Sequence, residues 1–272
     1  MKTLSNHTIL FDAECPMCRT ISKGLVKGGL STEEASVSYQ QFPKMVCPML
    51  DRQRAANEIA LINNDTGEVS YGVESLFKLL ATSYPRLRPL LSFAPFISFM
   101  SKIYALIAFN RRVIVPPPEK GDRFSIQPTF RLDYRLAYLV LCWLMVASIF
   151  TAYLRLPGML PSIENSYSLY LIMAGLPIFQ GVILHFINKD KVWSYLGNLM
   201  TILAGASLLL LPVLLLAPWI GQAPLFYQLF LLLILILMLA EHFRRSKGLQ
   251  MGAMATLTGA LYILICFILF HS

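Results

Sequence analysis

The stretch that decides the fold is Thr8-Ile-Leu-Phe-Asp-Ala-Glu-Cys-Pro-Met-Cys18. Its first four residues form a short run of β-forming side chains, which predicts a buried strand. A CxxC pair follows after a turn, and Pro16 suits the first position of a helix because the N–H that it lacks would have no partner there. An amphipathic helix is predicted to continue to about Lys27, where two glycines end it.

A CxxC pair at the start of a helix has a chemical use. The unpaired N–H groups and the positive end of the helix dipole stabilise a thiolate, and the thiolate is the nucleophile of disulfide exchange. We therefore predict that Cys15 is the attacking thiol and that Cys18, one turn later, is the resolving thiol. Asp12 ends the strand beneath them, and we predict that it takes or returns the Cys18 proton from a half-buried position.

Two other uses of these cysteines stay open. A zinc site would need Cys47 and His7 as further ligands, although this second pair lacks the usual zinc spacing. Alternatively, both thiols are structural and buried. Cys47 itself is predicted to be a bystander in the loop after the second strand, and neither a cofactor nor a metal is predicted.

The rest of the N-terminal half alternates short strand patterns with helical ones. Strands are predicted over residues 36–41, 57–63 and 68–71, the last two joined by a hairpin turn, and a helix over residues 73–83. Residues 90–109 are apolar but contain Pro95 and Lys102. We predict one or two helices there that pack on the domain or lie at the membrane surface and do not span it.

The pattern Leu10-Phe-Asp12-x-x-Cys15-x-x-Cys18 resembles the DCC family of predicted thiol-disulfide oxidoreductases. The similarity continues at residues 38–41, 58–62, 69–75 and 104–111, and covers about residues 6 to 115. It implies a thioredoxin-like fold and disulfide exchange, without naming a substrate. Where thioredoxins place a cis-proline, this chain has Ala-Ala-Asn57, so partner recognition is expected to differ. Glu14 next to Cys15 opposes thiolate formation and makes a strongly oxidising couple less favoured.

The C-terminal half has the composition of a membrane domain. Hydrophobic residues make up 56% of the chain and charged residues 14%, against roughly 25% charged residues in a soluble protein. Five apolar segments near residues 133–154, 166–187, 192–216, 224–240 and 250–270 approach the length of about 20 residues that crosses a bilayer. The prediction is therefore a redox domain over residues 1–115, a linker over residues 116–132 and a transmembrane domain over residues 133–272.

Lys and Arg are concentrated in alternate loops between these segments. The positive-inside rule then places the N-terminus in the cytoplasm and the C-terminus outside, in a multi-pass protein of the inner or plasma membrane. The same residues account for the net charge of +8, so we predict no nucleic-acid partner. The polar start and the short apolar run after it predict no cleavable signal peptide.

Several polar residues lie within the predicted spans or at their inner ends: Gln180, His185, Asn198, Glu241 and His242. We expect all five to gather at the cytoplasmic side. A quinone, haem or small-substrate site is one interpretation, and hydrogen bonding between helices or exposure at the water interface is the favoured one. Cys142 and Cys266 are predicted at depths that differ by roughly 10 Å, which is too far for a disulfide relay.

The predicted architecture is an α/β thioredoxin-like N-terminal domain followed by an all-α transmembrane bundle of about five helices. Small residues at four-residue spacing in the third and fifth spans favour a compact bundle or a homodimer. The predicted function is a membrane-tethered thiol-disulfide oxidoreductase that uses only the Cys15–Cys18 couple. Its partners are the lipid bilayer and a protein or small molecule bearing a thiol or disulfide. The alternative is a membrane binding or transport module with a regulatory or structural thioredoxin-like domain.

Overall fold

The computed structural model describes residues 6–43, 47–117, 126–159 and 166–271, without the side chains of residues 166 and 266–271. The contacts divide the chain into two compact units, Met1–Arg135 and Leu136–Ser272. The division falls inside the helix Leu132–Leu154, a few residues beyond the predicted end of the linker. The first unit contains a small sheet, whereas all described elements of the second unit are helices.

The sheet of the first unit is mixed and has four strands in the order β2-β1-β3-β4. Its strands are β1 (His7–Phe11), β2 (Ser36–Ser38), β3 (Ala60–Asn63) and β4 (Val69–Tyr71). The central strand β1 pairs parallel with β2 and antiparallel with β3, and β4 completes an antiparallel hairpin with β3. A strand therefore lies at each of the four predicted positions.

Two of the predicted strands were too long. The chain leaves the sheet after Ser38, because the carbonyl oxygen of Ser38 accepts the N–H groups of Gln41 and Phe42 in a tight turn. The predicted third strand started too early, because Asn57 belongs to a short helix, α2 (Arg52–Asn57). Asp51 caps this helix by accepting the N–H of Arg54 at 2.9 Å, and such a cap stabilises a helical turn over the alternative strand.

The first two longer helices begin close to where the sequence predicts them. Helix α1 spans Pro16–Lys27 and helix α3 spans Gly72–Ser83. Gly72 has a φ of +62°, and a Cβ there would collide with the carboxylate of Glu58 and lie 3.3 Å from the ring of Tyr104. A glycine therefore fits the junction between β4 and α3 better than any other residue.

The apolar segment predicted as one or two helices forms two, α4 (Arg88–Leu91) and α5 (Ala94–Ile114). A 3-10 turn precedes α4, and the chain bends by 84° between that helical stretch and α5. Within the first unit, helix α5 packs on α3, where the ring of Phe96 stacks on Phe77 with centroids 5.6 Å apart. By length and composition the bent pair could also form a broken membrane span.

Five helices occupy the positions of the five predicted spans. They are α6 (Leu132–Leu154), α7 (Ser166–Asn188), α8 (Val192–Ile220), α9 (Pro224–Gly248) and α10 (Met254–His271). In the described residues, three stretches are long and apolar enough to cross a membrane: Leu132–Leu154, Tyr167–Ile220, which contains α7 and α8, and Pro224–Gly248. The bent pair would make four, and Met254–Ile265 is a shorter apolar helix.

Helix α8 is the centre of the second unit. It contributes many of the buried apolar side chains, including Leu199, Met200 and Leu210, each at most 5% exposed. It packs against both α7 and α9. This arrangement is compatible with a helical bundle embedded in a membrane.

Candidate functional site

Cys15 and Cys18 lie at the start of α1, as the sequence predicts. Cys15 is the N-cap residue, Pro16 takes the first helical position, and the N–H of Cys15 donates to the carbonyl oxygen of Asp12 at 3.2 Å. This turn follows β1 directly, so the sheet fixes the position of the first sulfur. Cys15 is fully buried and Cys18 is 7% exposed.

The two thiols differ strongly in acidity. The pKa of Cys15 is lowered to about 6 by a hydrogen bond from the Cys18 thiol, by the backbone N–H of Cys18 and by the Arg111 charge, against the opposing effects of burial and of Asp12. The same hydrogen bond and burial raise the pKa of Cys18 far above its ordinary value. Of the two thiols, Cys15 is therefore the one that favours the thiolate near neutrality, as attack by the first cysteine requires.

Asp12 is completely buried, at 2% exposure, whereas the sequence predicts a half-buried position. One carboxylate oxygen accepts the N–H of Glu14 at 3.0 Å and the side-chain amide of Gln40 at 2.9 Å. The other oxygen pairs with Arg111 at 3.0 Å. A buried carboxylate needs such a counter-charge. Cys18 is not among its hydrogen-bond partners in the described residues, so proton exchange with Cys18 stays a prediction.

Arg111 and Arg112, near the end of α5, complete the site. Arg111 is 5% exposed and donates to Asp12 and to the carbonyl oxygens of Ala56 and Asn57 at the end of α2. Arg112 lies 3.5 Å from Asp12 and 3.6 Å from Glu14. Neither arginine is among the site residues predicted from the sequence. The available signal was the Asn-Arg ending of residues 104–111, to which no chemistry was assigned.

Comparisons with known proteins identify no relative. No family model, no curated protein and no solved structure matches the chain. The resemblance to the DCC family therefore rests only on the residues quoted for it, and a function has to be proposed from the chemistry of the site.

The remaining candidates for a zinc site are not gathered with the CxxC pair. Cys47 is buried in the apolar cluster that contains Leu10 and Tyr39, and its sulfur lies 3.8 Å from the carbonyl oxygen of Gly67. His7 starts β1, where it pairs with Asn63 of β3. In the part of the chain that the structure describes, no three His, Cys, Asp or Glu side chains are grouped as metal ligands.

The segment predicted as a linker is partly bound to the first unit. Residues 118–125 lie outside the described residues, but residues 126–129, which we call the strap, contact the sheet, α2 and α5. The Tyr39 hydroxyl donates to the carbonyl oxygen of Ile126 at 2.6 Å, and Arg112 donates to the Gln127 side chain. The buried Tyr39 hydroxyl and the half-buried Arg112 therefore find hydrogen-bond partners in the strap, and the role of residues 116–132 as a linker stays a prediction.

Of the five polar residues predicted as one cluster in the membrane, Asn198, Glu241 and His242 make contacts on α9 or between α9 and its neighbours. His242 of α9 binds the Tyr195 hydroxyl of α8 at 2.8 Å and lies 3.0 Å from the Thr256 hydroxyl of α10. Arg245 of α9 donates to Asn198 of α8 at 3.1 Å and to Glu241 at 2.7 Å. These contacts hold α9 to its neighbours, as the favoured interpretation expects.

Gln180 and His185 lie apart from the others. Gln180 is fully buried, and its side chain bonds to α10 through the carbonyl oxygen of Ala255 at 3.2 Å and the hydroxyl of Thr258 at 3.0 Å. His185 is exposed and lines an apolar cavity between α6, α7 and α8. The structure therefore does not bring the five residues into one site. The side chain of Cys266 is outside the description, so its distance from Cys142 stays a prediction.

Proposed function

We propose that this chain is a membrane-tethered thiol-disulfide oxidoreductase in which Cys15 attacks and Cys18 resolves. The observation that carries the proposal is the position of the two buried thiols, with Cys15 as the N-cap of α1 directly after β1 and Cys18 one turn later, and the lowered pKa of Cys15 supports it. The sheet order β2-β1-β3-β4, with α1 directly after β1, supports a thioredoxin-like fold for the first unit. The DCC-like residues support the same reading.

The proposed disulfide exchange needs only Cys15, Cys18 and one disulfide-bearing partner to account for its electrons. The Cys15 thiolate attacks one sulfur of the partner disulfide, a mixed disulfide forms, and the other partner sulfur leaves as a thiolate that takes a proton. Cys18 then loses its proton and attacks the Cys15 sulfur, which releases the second partner thiol. The partner gains two electrons and two protons, and the Cys15–Cys18 disulfide forms.

The high pKa of Cys18 makes its deprotonation the demanding step. As the mixed disulfide forms, Cys15 no longer accepts the Cys18 hydrogen bond as a thiolate, so the largest cause of that high pKa disappears. The charge of Arg111 still favours a thiolate on Cys18. We propose that Asp12, held in place by its arginine partners, accepts the proton that the Cys18 thiol loses.

The direction of electron flow follows from the predicted location. A site on the cytoplasmic side faces a reducing compartment, so the pair should rest as a dithiol and act as a reductase or a redox sensor. The sequence predicts that Glu14 opposes a thiolate on Cys15, but in the structure the carboxylate that raises the pKa of Cys15 is Asp12, and Glu14 lies 3.6 Å from the guanidinium of Arg112. This pairing weakens the unfavourable effect of Glu14 on the thiolate.

The reduction potential of the full chain in detergent tests the proposal. We expect a reversible two-electron couple against glutathione that is lost in Cys15→Ser and Cys18→Ser. Cys47→Ser is the matched control, because Cys47 is also buried but has no place in the exchange. A value near −270 mV would indicate a thioredoxin-like reductant, and one near −120 mV an oxidant. If no disulfide forms, the enzyme proposal fails.

One feature favours a second candidate function. The apolar cavity between α6, α7 and α8 has a volume of about 610 Å³, within the range of about 300–1,000 Å³ that small-molecule sites occupy. A membrane binding or transport module would use this cavity and give the first unit a regulatory or structural role. Cys15→Ser separates the two candidates, since it abolishes disulfide exchange and leaves a binding module active.

A further inference from the structure

The attacking sulfur is covered in this structure. Cys15 has no exposed surface, whereas two sulfur atoms that form a disulfide end about 2.05 Å apart. A partner disulfide therefore cannot reach Cys15 until some part of the first unit moves. The strap lies outside the sheet and could move without unfolding it.

The strap is bound in the manner of an extended peptide. Side chains of the first unit hold three of its main-chain groups. Tyr39 donates to the carbonyl oxygen of Ile126 at 2.6 Å, and Gln53 donates to the carbonyl oxygen of Gln127 at 3.0 Å. The N–H of Thr129 donates to the side-chain oxygen of Asn57 at 2.8 Å. Main-chain contacts of this kind bind a polypeptide with little regard to its sequence.

One apolar side chain anchors the strap. Ile126 packs against the buried cluster that includes Leu10 and Tyr39. Pro128 lacks an N–H, so the strap has no donor at that position that would need a partner. The pKa of Tyr39 is raised to about 12 by burial and by the charges of Asp12 and Glu14, so its hydroxyl keeps the proton that it donates to the strap.

The strap is also tied to the residues that surround the CxxC pair. The Gln127 side chain accepts a hydrogen bond from Arg112, which pairs with both Asp12 and Glu14. Asn57, which binds Thr129 through its side chain, offers its carbonyl oxygen to Arg111. The surface that holds the strap and the loop that holds Cys15 are therefore joined through two arginines.

We propose that Tyr39, Gln53, Asn57 and Arg112 form a docking surface for an extended segment of a disulfide-bearing protein. The strap occupies this surface in cis and must leave before a partner segment can bind beside Cys15. This inference rests on the proposed oxidoreductase function and names its substrate class as polypeptide disulfides. A small thiol or disulfide offers too few main-chain groups to replace the strap.

The test measures access to Cys15 in the full chain in detergent, by maleimide labelling at neutral pH and mass analysis of the labelled peptide. Ile126→Asp places a charge against the apolar cluster and should release the strap. We expect Cys15 labelling to rise by about tenfold or more, since the half-buried apolar anchor of the strap is lost. Met49→Asp is the matched control, because Met49 is 71% exposed and should leave labelling unchanged.

A second variant separates release of the strap from loosening of the core. Thr129→Pro removes the N–H that binds Asn57 and leaves the Ile126 contact in place, whereas Thr129→Ala keeps the N–H. Thr129→Pro should raise Cys15 labelling more than Thr129→Ala, while Cys47 in the apolar cluster stays protected. Labelling of Cys47 and Cys15 together in Ile126→Asp, with no change of Cys15 in Thr129→Pro, would overturn the proposal.

A peptide supplied in trans tests the occupant of the surface. The peptide Ile-Gln-Pro-Thr-Phe, the sequence of residues 126–130, should protect Cys15 again in the Ile126→Asp chain, and Asp-Gln-Pro-Thr-Phe should not. Equal labelling with both peptides would also overturn the proposal. Labelling requires no disulfide exchange, so a failure here is distinct from the loss of the redox couple that would defeat the proposed function.

Discussion

Replacing Cys18 by alanine should raise the pKa of Cys15 by several units. The hydrogen bond from Cys18 is the largest cause that brings the pKa of Cys15 from 9.0 to about 6. A shift of three units corresponds to roughly 4 kcal/mol of preference for the thiolate. In the variant, burial still raises the pKa, and the backbone N–H of residue 18 and the Arg111 charge still lower it, so we expect a value near the ordinary one of about 8.5.

The change in thiolate population is large at neutral pH. With a pKa of about 6, roughly 90% of Cys15 is thiolate at pH 7, and with a pKa of about 8.5 only about 3% is. The rate of a thiol reaction changes less, because a more basic thiolate is intrinsically more nucleophilic. With a Brønsted slope of about 0.4–0.5, this compensates roughly tenfold. A rate at a single pH would therefore understate the effect.

The assay is a titration of thiolate ultraviolet absorbance in the full chain, with the Cys15→Ser signal subtracted. This measurement does not depend on access to the sulfur. The wild type should titrate with a midpoint near 6, and Cys18→Ala near 8.5. Cys47→Ala should keep the wild-type midpoint. A wild-type midpoint near 8.5, or an unchanged midpoint in Cys18→Ala, would refute the assigned hydrogen bond.

Three further outcomes concern the stability of the first unit, each measured by hydrogen exchange of its sheet amides in the full chain. Arg111→Met removes the closer of the two guanidinium groups that pair with buried Asp12 and leaves Arg112 at 3.5 Å, so it should cost at most about 3–5 kcal/mol, and adding Asp12→Asn should recover part of the loss. Gly72→Ala should destabilise the unit by more than Gly67→Ala, because both glycines have positive φ but only Gly72 lacks room for a Cβ; equal losses would contradict this. Because the pKa of Cys15 is lowered in the folded state, the unfolded chain binds the Cys15 proton more tightly. The free energy of unfolding should therefore rise as the pH increases from about 6 to 9. Cys15→Ser should lack that rise.

The local parts of the fold could be predicted because local residues determine them. The β-forming run before Asp12, Pro16 at the start of α1 and the hairpin turn each carry their own sequence signal. The errors at strand ends also have local causes. The Asp51 cap stabilises a helix where the residues around Asn57 were predicted as a strand.

The arginine partner of Asp12 could not be predicted in the same way. Arg111 lies 99 residues after Asp12 in the chain, and no periodic pattern connects two such positions. Only the packing of α5 on the first unit brings the guanidinium to the carboxylate. The predicted half-burial of Asp12 was wrong for the same reason, because a carboxylate without a known counter-charge is expected to keep some contact with water.

The strap shows a different limit of sequence patterns. Its proline-rich surroundings are typical of a linker, and its own residues have neither helical nor strand periodicity. Its conformation depends instead on side chains of Tyr39, Gln53 and Asn57, which lie far away in the sequence. The polar residues of the second unit follow the same rule, since Gln180, Asn198 and His242 each contact a neighbouring helix and not one shared site.

Two groups of residues, joined through Arg111 and Arg112, control reactivity and access in the proposed mechanism. A thiolate with a low pKa on an open surface would react with many oxidants and disulfides. Cys18 and Arg111 stabilise the thiolate from within the site, whereas Tyr39, Gln53 and Asn57 bind the strap from outside it. Variants of the first group should therefore change the pKa of Cys15, and variants of the strap should change only how often a partner reaches it. A membrane-tethered reductase whose attacking thiol has a low pKa and is also covered would then react only with partners able to replace the strap.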